Sequence, residues 1–295
     1  MEIPIQPVER RQDMGAIAHK LQSILKRSGV YQRFKTSLLY DAYWKMKDRR
    51  WIDVRDREVE FYRQLLSGMQ PGDLIFDVGA NDGFKTDVFL RLGARVVAIE
   101  PDDINQEVLR NRFLRYRLSP KPVMVVGKAV SDTSSTETML VDGPGSAVNT
   151  LSRKWADTLK GDKINFKGGN FGLDFTYTKV VKTTTLAELA QAHGEPFFVK
   201  IDVEGYEAHV LRGMKHPVPF LSFEINLPEF RPEGLECVKI LEILAADGKF
   251  NYAADFQQGM ALDKWLDAPD FARILDHCSE KTIEVFWKTA VHTGR

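Results

Sequence analysis

The sequence predicts an α/β protein: an open, mainly parallel sheet, doubly wound with helices on both faces. Three observations predict it. Residues 73–103, DLIFDVGANDGFKTDVFLRLGARVVAIEPDD, read as strand, glycine loop, helix and strand, ending in an acid. Short apolar runs of buried-strand size then recur at Val123–Val126, Phe197–Val203 and Phe220–Ile225, each separated by a stretch with helical spacing. Between residues 133 and 185 that rhythm stops, and two alternating segments mark an insertion.

Residues 1–12, with two prolines, read as a loose arm, and 13–50 as helical, with Ile17, Leu21, Ile24 and Leu25 on one face. The aromatic residues from Tyr31 to Trp51 suit a helical cap on the main domain, a lid or a homodimer contact. Residues 1–53 are therefore expected to be a helical N-terminal extension and 54–295 the α/β domain. Residues 54–66 form a helix closed by Gly68 and Pro71-Gly72. Leu74–Val78 is the first strand, Gly79–Gly83 a tight loop, Phe84–Leu92 a helix stopped by Gly93, and Arg95–Ile99 the second strand.

Residues 103–117 form a helix with Ile104, Val108 and Leu109 inward, broken by Pro120 and Pro122 before the third strand. Thr136–Val141 and Phe175–Val181 alternate like a hairpin joined by a long polar loop, read as a substrate-side lid with Ser146, Asn149 and Thr150 as contacts. A short helix (185–193), the fourth strand, a helix (206–212) and the fifth strand follow. Residues 235–246 and 270–277 are helical, and 251–256 and 281–287 are strands.

Glu100 stands about twenty residues past the first loop glycine, where a dinucleotide fold places an acid on ribose hydroxyls. The loop lacks G-x-G-x-x-G and carries Asp77 and Asp82, which repel a diphosphate but suit an ammonium and a sulfonium. S-adenosylmethionine is thus favoured over NAD. An NAD-dependent oxidoreductase or epimerase, or a non-catalytic nucleoside-binding module, are the alternatives.

DVGANDG, IEPDD and VKIDVEGYE, in this order, resemble the FkbM-type family of class I methyltransferases over roughly Leu66 to Phe230. Lys85 stands where that family commonly has an aromatic or small residue. The resemblance implies a Rossmann-like sheet of seven strands, the last antiparallel. It also implies S-adenosylmethionine as cofactor, and O-methylation of a hydroxyl on a small molecule such as a sugar or polyketide. The cofactor contacts it implies are Asp77, Gly79, Asn81, Gly83, Glu100, Asp132 at the adenine side, and Asp202.

Asp202 and Glu204 lie two apart at a strand end, so both can face one cleft. Asp202 is expected at the cofactor–substrate junction and Glu204 as base or substrate orienter, with Lys200 pairing a strand-tip acid. Asp202, Glu204, Glu224 and Asn226 are hard oxygen ligands but have no compact metal-loop spacing, and no metal is expected. His209 is read as a packed or solvated helix residue, and no G-x-S-x-G is present.

Lysine plus arginine and aspartate plus glutamate each number 41, which argues against a nucleic-acid partner. Cys237 and Cys278 fit reduced thiols of a cytoplasmic protein. Neither a signal pattern nor a membrane-spanning run is visible.

Overall fold

The computed structural model describes residues 49–114, 122–160, 173 and 175–290. The extension helix expected over 13–50 and its aromatic stretch lie almost wholly outside these residues, as does the Gly168-Gly169 part of the inserted loop.

Seven strands make the main sheet: β1 (Leu74–Val78), β2 (Arg95–Ile99), β3 (Val123–Val126), β7 (Phe198–Ile201), β8 (Phe220–Asn226), β9 (Lys249–Ala253) and β10 (Thr282–Lys288). Their order is β3-β2-β1-β7-β8-β10-β9. β10 runs antiparallel to both β8 and β9, and the pairs from β3 to β8 are parallel. This is the Rossmann-like arrangement with the last strand reversed. The order switches direction at β1, so the tips of β1, β2 and β7 frame the crevice where such sheets bind ligands.

The two faces have different characters. Leu74, Phe76 and Val78 of β1 join Val199, Ile201, Leu221 and Phe223 in one core. That core is covered by α5 (Leu186–His193), α6 (Glu207–Arg212), α7 (Arg231–Leu244) and α8 (Ala268–His277). The other face packs Ile75, Val96, Ala98, Phe198 and Phe286 under α1 (Arg49–Leu65), α2 (Phe84–Arg91) and α3 (Asp103–Arg112).

That second face also carries a polar stripe. Asp77 is opposite Lys200, Lys200 opposite Ser222, and Glu224 opposite Glu284. Lys200 is 1% exposed, and Glu284 accepts hydrogen bonds from Tyr62 Oη at 3.1 Å and Ser222 Oγ at 2.5 Å. Lys85, the residue that departs from the family pattern, pairs with Glu58 at 2.5 Å and lies 4.2 Å from the Phe256 ring centroid, sealing this face from above.

The insertion is more structured than expected. The expected hairpin is present, β5 (Thr136–Val141) antiparallel to β6 (Tyr177–Thr184), and β4 (Ala129–Val130) pairs parallel with β6 to make it a three-stranded sheet. Its loop contains a helix, α4 (Arg153–Lys160), where the sequence suggested only polar chain. Trp155, Ala156 and Leu159 fall on one face of that helix and are buried, with the Trp155 ring 5.3 Å edge-on from Phe230. Only these three residues carry the helix's apolar period, too few to stand out among the polar residues around them. α7 likewise starts earlier than expected, at Arg231, because Pro232 sits in its first turn, where its missing N–H costs nothing.

Candidate active site

A cavity of about 590 Å³, part of it open to solvent, lies at the strand tips beneath the inserted sheet. Gly79 and Asn81 of the first loop line it, together with Glu100 at the end of β2 and Asn105 on α3. Asp202, Glu204 and Tyr206 line it from the turn after β7. Met139 of β5 and Ser146, Asn149 and Thr150 of the loop that follows close it from above, and Lys128 stands at the end of β3.

The loop holds its shape by backbone geometry. Gly79 (φ 81), Asn81 (φ 47) and Gly83 (φ 87) are all left-handed. A Cβ on Gly79 would lie 1.8 Å from the Asp202 carbonyl oxygen, a contact no side chain can make. Gly79→Ala is therefore expected to unseat the loop from the β7 turn. Loss of more than about 3 kcal/mol in a urea unfolding titration is the expected result, and near-native stability would contradict this packing.

Glu100 is 6% exposed and accepts one backbone N–H on each oxygen, from Asn81 at 2.9 Å and Asp102 at 2.8 Å. Each oxygen keeps a lone pair for a further donor. Burial pushes its carboxyl up to about 7, with the two backbone donors holding it back. Asn105 was not foreseen: its Nδ2 donates to Asn81 Oδ1 at 3.0 Å, while its own Oδ1 is buried at the cavity wall with no partner among the described residues. An orphaned acceptor of this kind requires a donor from a ligand or water.

At the β7 end, Asp202 Oδ2 accepts from Lys200 Nζ at 2.9 Å. Lys200 is held protonated despite its burial, which alone would lower its pKa, because Asp202, Glu284, Glu224 and Asp77 surround it. Glu204 reaches the cavity by a different route from the strand alternation expected. β7 has ended, and Glu204 sits in the left-handed region at φ 58, followed by Gly205 at φ 84. Thr150 Oγ1 donates to the Glu204 carbonyl at 2.8 Å, so its hydroxyl is committed to the turn. The third motif acid, Glu207, closes the same turn by accepting from the Val203 and Gly205 amides at 3.3 and 3.2 Å.

Other expected site residues lie elsewhere. Asp77 is beneath the loop, 1% exposed, accepting from Thr86 Oγ1 at 2.5 Å. Asp82 lies 3.7 Å from Arg112. Neither loop acid lines the cavity, so its negative charge comes from Glu100, Asp202 and Glu204 instead. Gly83 backs onto Phe113 and Leu109 and serves the loop's shape. Asp132 faces His209, with Oδ2 3.7 Å from Nδ1, outside the cavity lining. Among the described residues no three His, Cys, Asp or Glu side chains are arranged to hold a metal ion. No helix there is long and apolar enough to cross a membrane, and Cys237 and Cys278 are buried and unbridged.

A family model described as the methyltransferase FkbM domain matches residues 77–275. The chain belongs to this family. As an FkbM-domain methyltransferase it is 27% identical over 205 residues to a hexuronic acid methyltransferase of Haloferax volcanii, covering 68% of this chain and 72% of that protein. Among solved structures it is similar to the methyltransferase FkbM of Methylobacillus flagellatus, with 16% identity and a TM-score of 0.46. That match covers 74% of this chain and 44% of the longer one. A SAM-dependent O-methyltransferase of Thermotoga maritima matches at 11% identity and a TM-score of 0.37, covering 79% of this chain and 64% of that one.

Burial raises three carboxyls of the FkbM domain well above their ordinary range, Glu100 and Glu207 to about 7 and Glu224 to about 8. An acid whose folded pKa is raised binds more protons folded than unfolded, so its contribution to stability falls as pH rises from its ordinary value to the raised one. The ligand-free protein is expected to melt at a higher temperature at pH 5.5 than at pH 8, and circular dichroism melts with the opposite slope would refute this.

Proposed function

We propose that the protein transfers a methyl group from S-adenosylmethionine to an oxygen, a hydroxyl of a sugar or natural-product small molecule. The observation that carries this reading is the cavity itself. It joins a buried acid at the β2 tip, an orphaned Asn105 oxygen and the Asp202–Glu204 pair in one space. These residues suit the cofactor's chemistry: hydroxyl and amino donors for Glu100 and Asn105, positive charge for Asp202, and no cradle of bare amides for a diphosphate.

When bound, S-adenosylmethionine supplies a methyl group on a sulfonium, already a good leaving group. The chain's own residues do the rest. Glu100 would take the ribose hydroxyls on the lone pairs its backbone donors leave open. Asp202, one oxygen held by Lys200, would offer its other oxygen to the cationic part of the cofactor. Glu204 would take the proton of the acceptor's hydroxyl. Positioning within the covered cavity accounts for about 7–11 kcal/mol of the barrier. The sugar assignment draws support from the name of the Haloferax volcanii relative.

The test is calorimetric titration with S-adenosylhomocysteine, with NAD⁺ as comparison. Saturable binding of the former alone, weakened about a hundredfold by Glu100→Ala, is the expected result. Binding of NAD⁺ alone, or an unaffected Glu100→Ala variant, would sink the reading.

A further inference from the structure

Beside Glu204, a group of side chains forms a shelf that the reaction above does not use. Tyr206 lines the cavity. Its ring lies parallel to His209, with centroids 4.1 Å apart and planes 7° from parallel. Tyr206 Oη donates to Glu137 Oε2 at 2.9 Å and lies 3.4 Å from Ser131 Oγ, which donates to Glu137 Oε1 at 3.0 Å. Asp132 flanks His209. The His209 and Asp132 side chains are 43% and 37% exposed, so the shelf is open to a ligand.

The proton bookkeeping of this shelf is informative. The single phenol proton is committed to Glu137, so Tyr206 offers a ligand only lone pairs. Glu204 and Asp132 likewise offer acceptors. A flat aromatic pair bordered by acceptors matches a ring with one apolar face and an edge rich in O–H donors. It does not match an anion: a carboxylate placed here meets Glu137, Asp132 and Glu204, and like charges so placed are costly. Lys128, at the end of β3, is the one cation among the described residues that line the cavity.

We propose that the Tyr206–His209 stack, flanked by Glu137 and Asp132, is the acceptor subsite, and that it takes an uncharged polyhydroxylated ring, a neutral glycoside, with the reacting hydroxyl set toward Glu204. This rests on the sugar-methylating reading above and narrows it. Specificity here departs from the uronic acid named for the Haloferax volcanii relative. Burial pushes the Tyr206 phenol up to about 12, which keeps its proton on the Glu137 hydrogen bond across the working pH range.

The experiment is saturation-transfer NMR on the full chain saturated with S-adenosylhomocysteine. The probes are the methyl glycosides of glucose, galactose and mannose, and of glucuronic acid. The neutral glycosides are expected to bind about fivefold more tightly than the glucuronoside. Tyr206→Ala is expected to weaken them about fivefold, with S-adenosylhomocysteine affinity retained as the check on folding. Glu137→Gln removes a charge but no ring, and is expected to narrow the gap between neutral and acidic probes. Glucuronoside binding as tight as or tighter than the neutral probes, or a gap unchanged in Glu137→Gln, overturns the proposal while leaving sugar methylation standing. If wild-type protein loaded with S-adenosylhomocysteine binds no glycoside of either kind, the sugar reading itself falls, and this proposal with it.

Discussion

Replacing Glu204 by glutamine is expected to lower kcat about 10²–10⁴-fold, the usual contribution of a positioned general base. S-adenosylhomocysteine affinity should stay within about twofold. Glutamine keeps the shape and the hydrogen-bonding reach but takes no proton. The backbone of Glu204 sets its position as much as its carboxylate sets its chemistry. A non-glycine residue at φ 58 is strained by about 1–2 kcal/mol, and here Thr150 and the glycine that follows hold it there. Glycine at 204 relieves that strain and removes the base, so Glu204→Gly should melt higher than wild type while losing turnover. A Glu204→Gln enzyme with near-native kcat in a methyl-transfer assay on a glycoside acceptor would remove Glu204 from the reaction and leave it a structural turn residue.

Lys200→Met is expected to cost about 3–5 kcal/mol of folding stability, the price of removing one partner from a buried charge cluster. The ammonium sits among Asp77, Asp202, Glu224 and Glu284, and methionine fills its volume while leaving those carboxylates to face one another. The variant should recover part of the loss on acidification, as protons replace the missing cation, and Glu284→Gln in the same chain should restore more. Urea titrations at pH 5.5 and 8 give both numbers. A Lys200→Met protein as stable as wild type at both values would mean the stripe is already neutral.

The βαβ unit and the placing of Glu100, Asp202 and Glu204 at one crevice were legible because each rests on local pattern: short apolar runs, glycine at tight turns, acids at strand tips; the sheet with its last strand reversed was legible only through the family resemblance. What stayed hidden depends on partners far along the chain. Asp77 looked like a loop acid, but strand alternation turns it inward beneath Thr86, on the face it shares with Lys200. Asn105 is unremarkable in a helix until Asn81 engages its amide and leaves its oxygen bare. Tyr206 gains its meaning from Glu137, which the inserted sheet brings across from 69 residues away. Helix α4 was missed because only Trp155, Ala156 and Leu159 carry its period, between stretches that read as turn.

The place of β10 in the sheet bears on how the chain is made. β8 and β9 leave the ribosome before the strand that lies between them, so during synthesis each presents an unpaired edge, and β9 has no neighbour in the sheet until β10 arrives. Exposed edges of this kind invite pairing with other chains. The half of the sheet whose tips frame the cavity, β3-β2-β1-β7, is by contrast complete in the order of translation. Nascent protein therefore passes through a stage in which the half beneath the cavity is formed and the other half is adhesive, and that stage is where a chaperone has most to contribute.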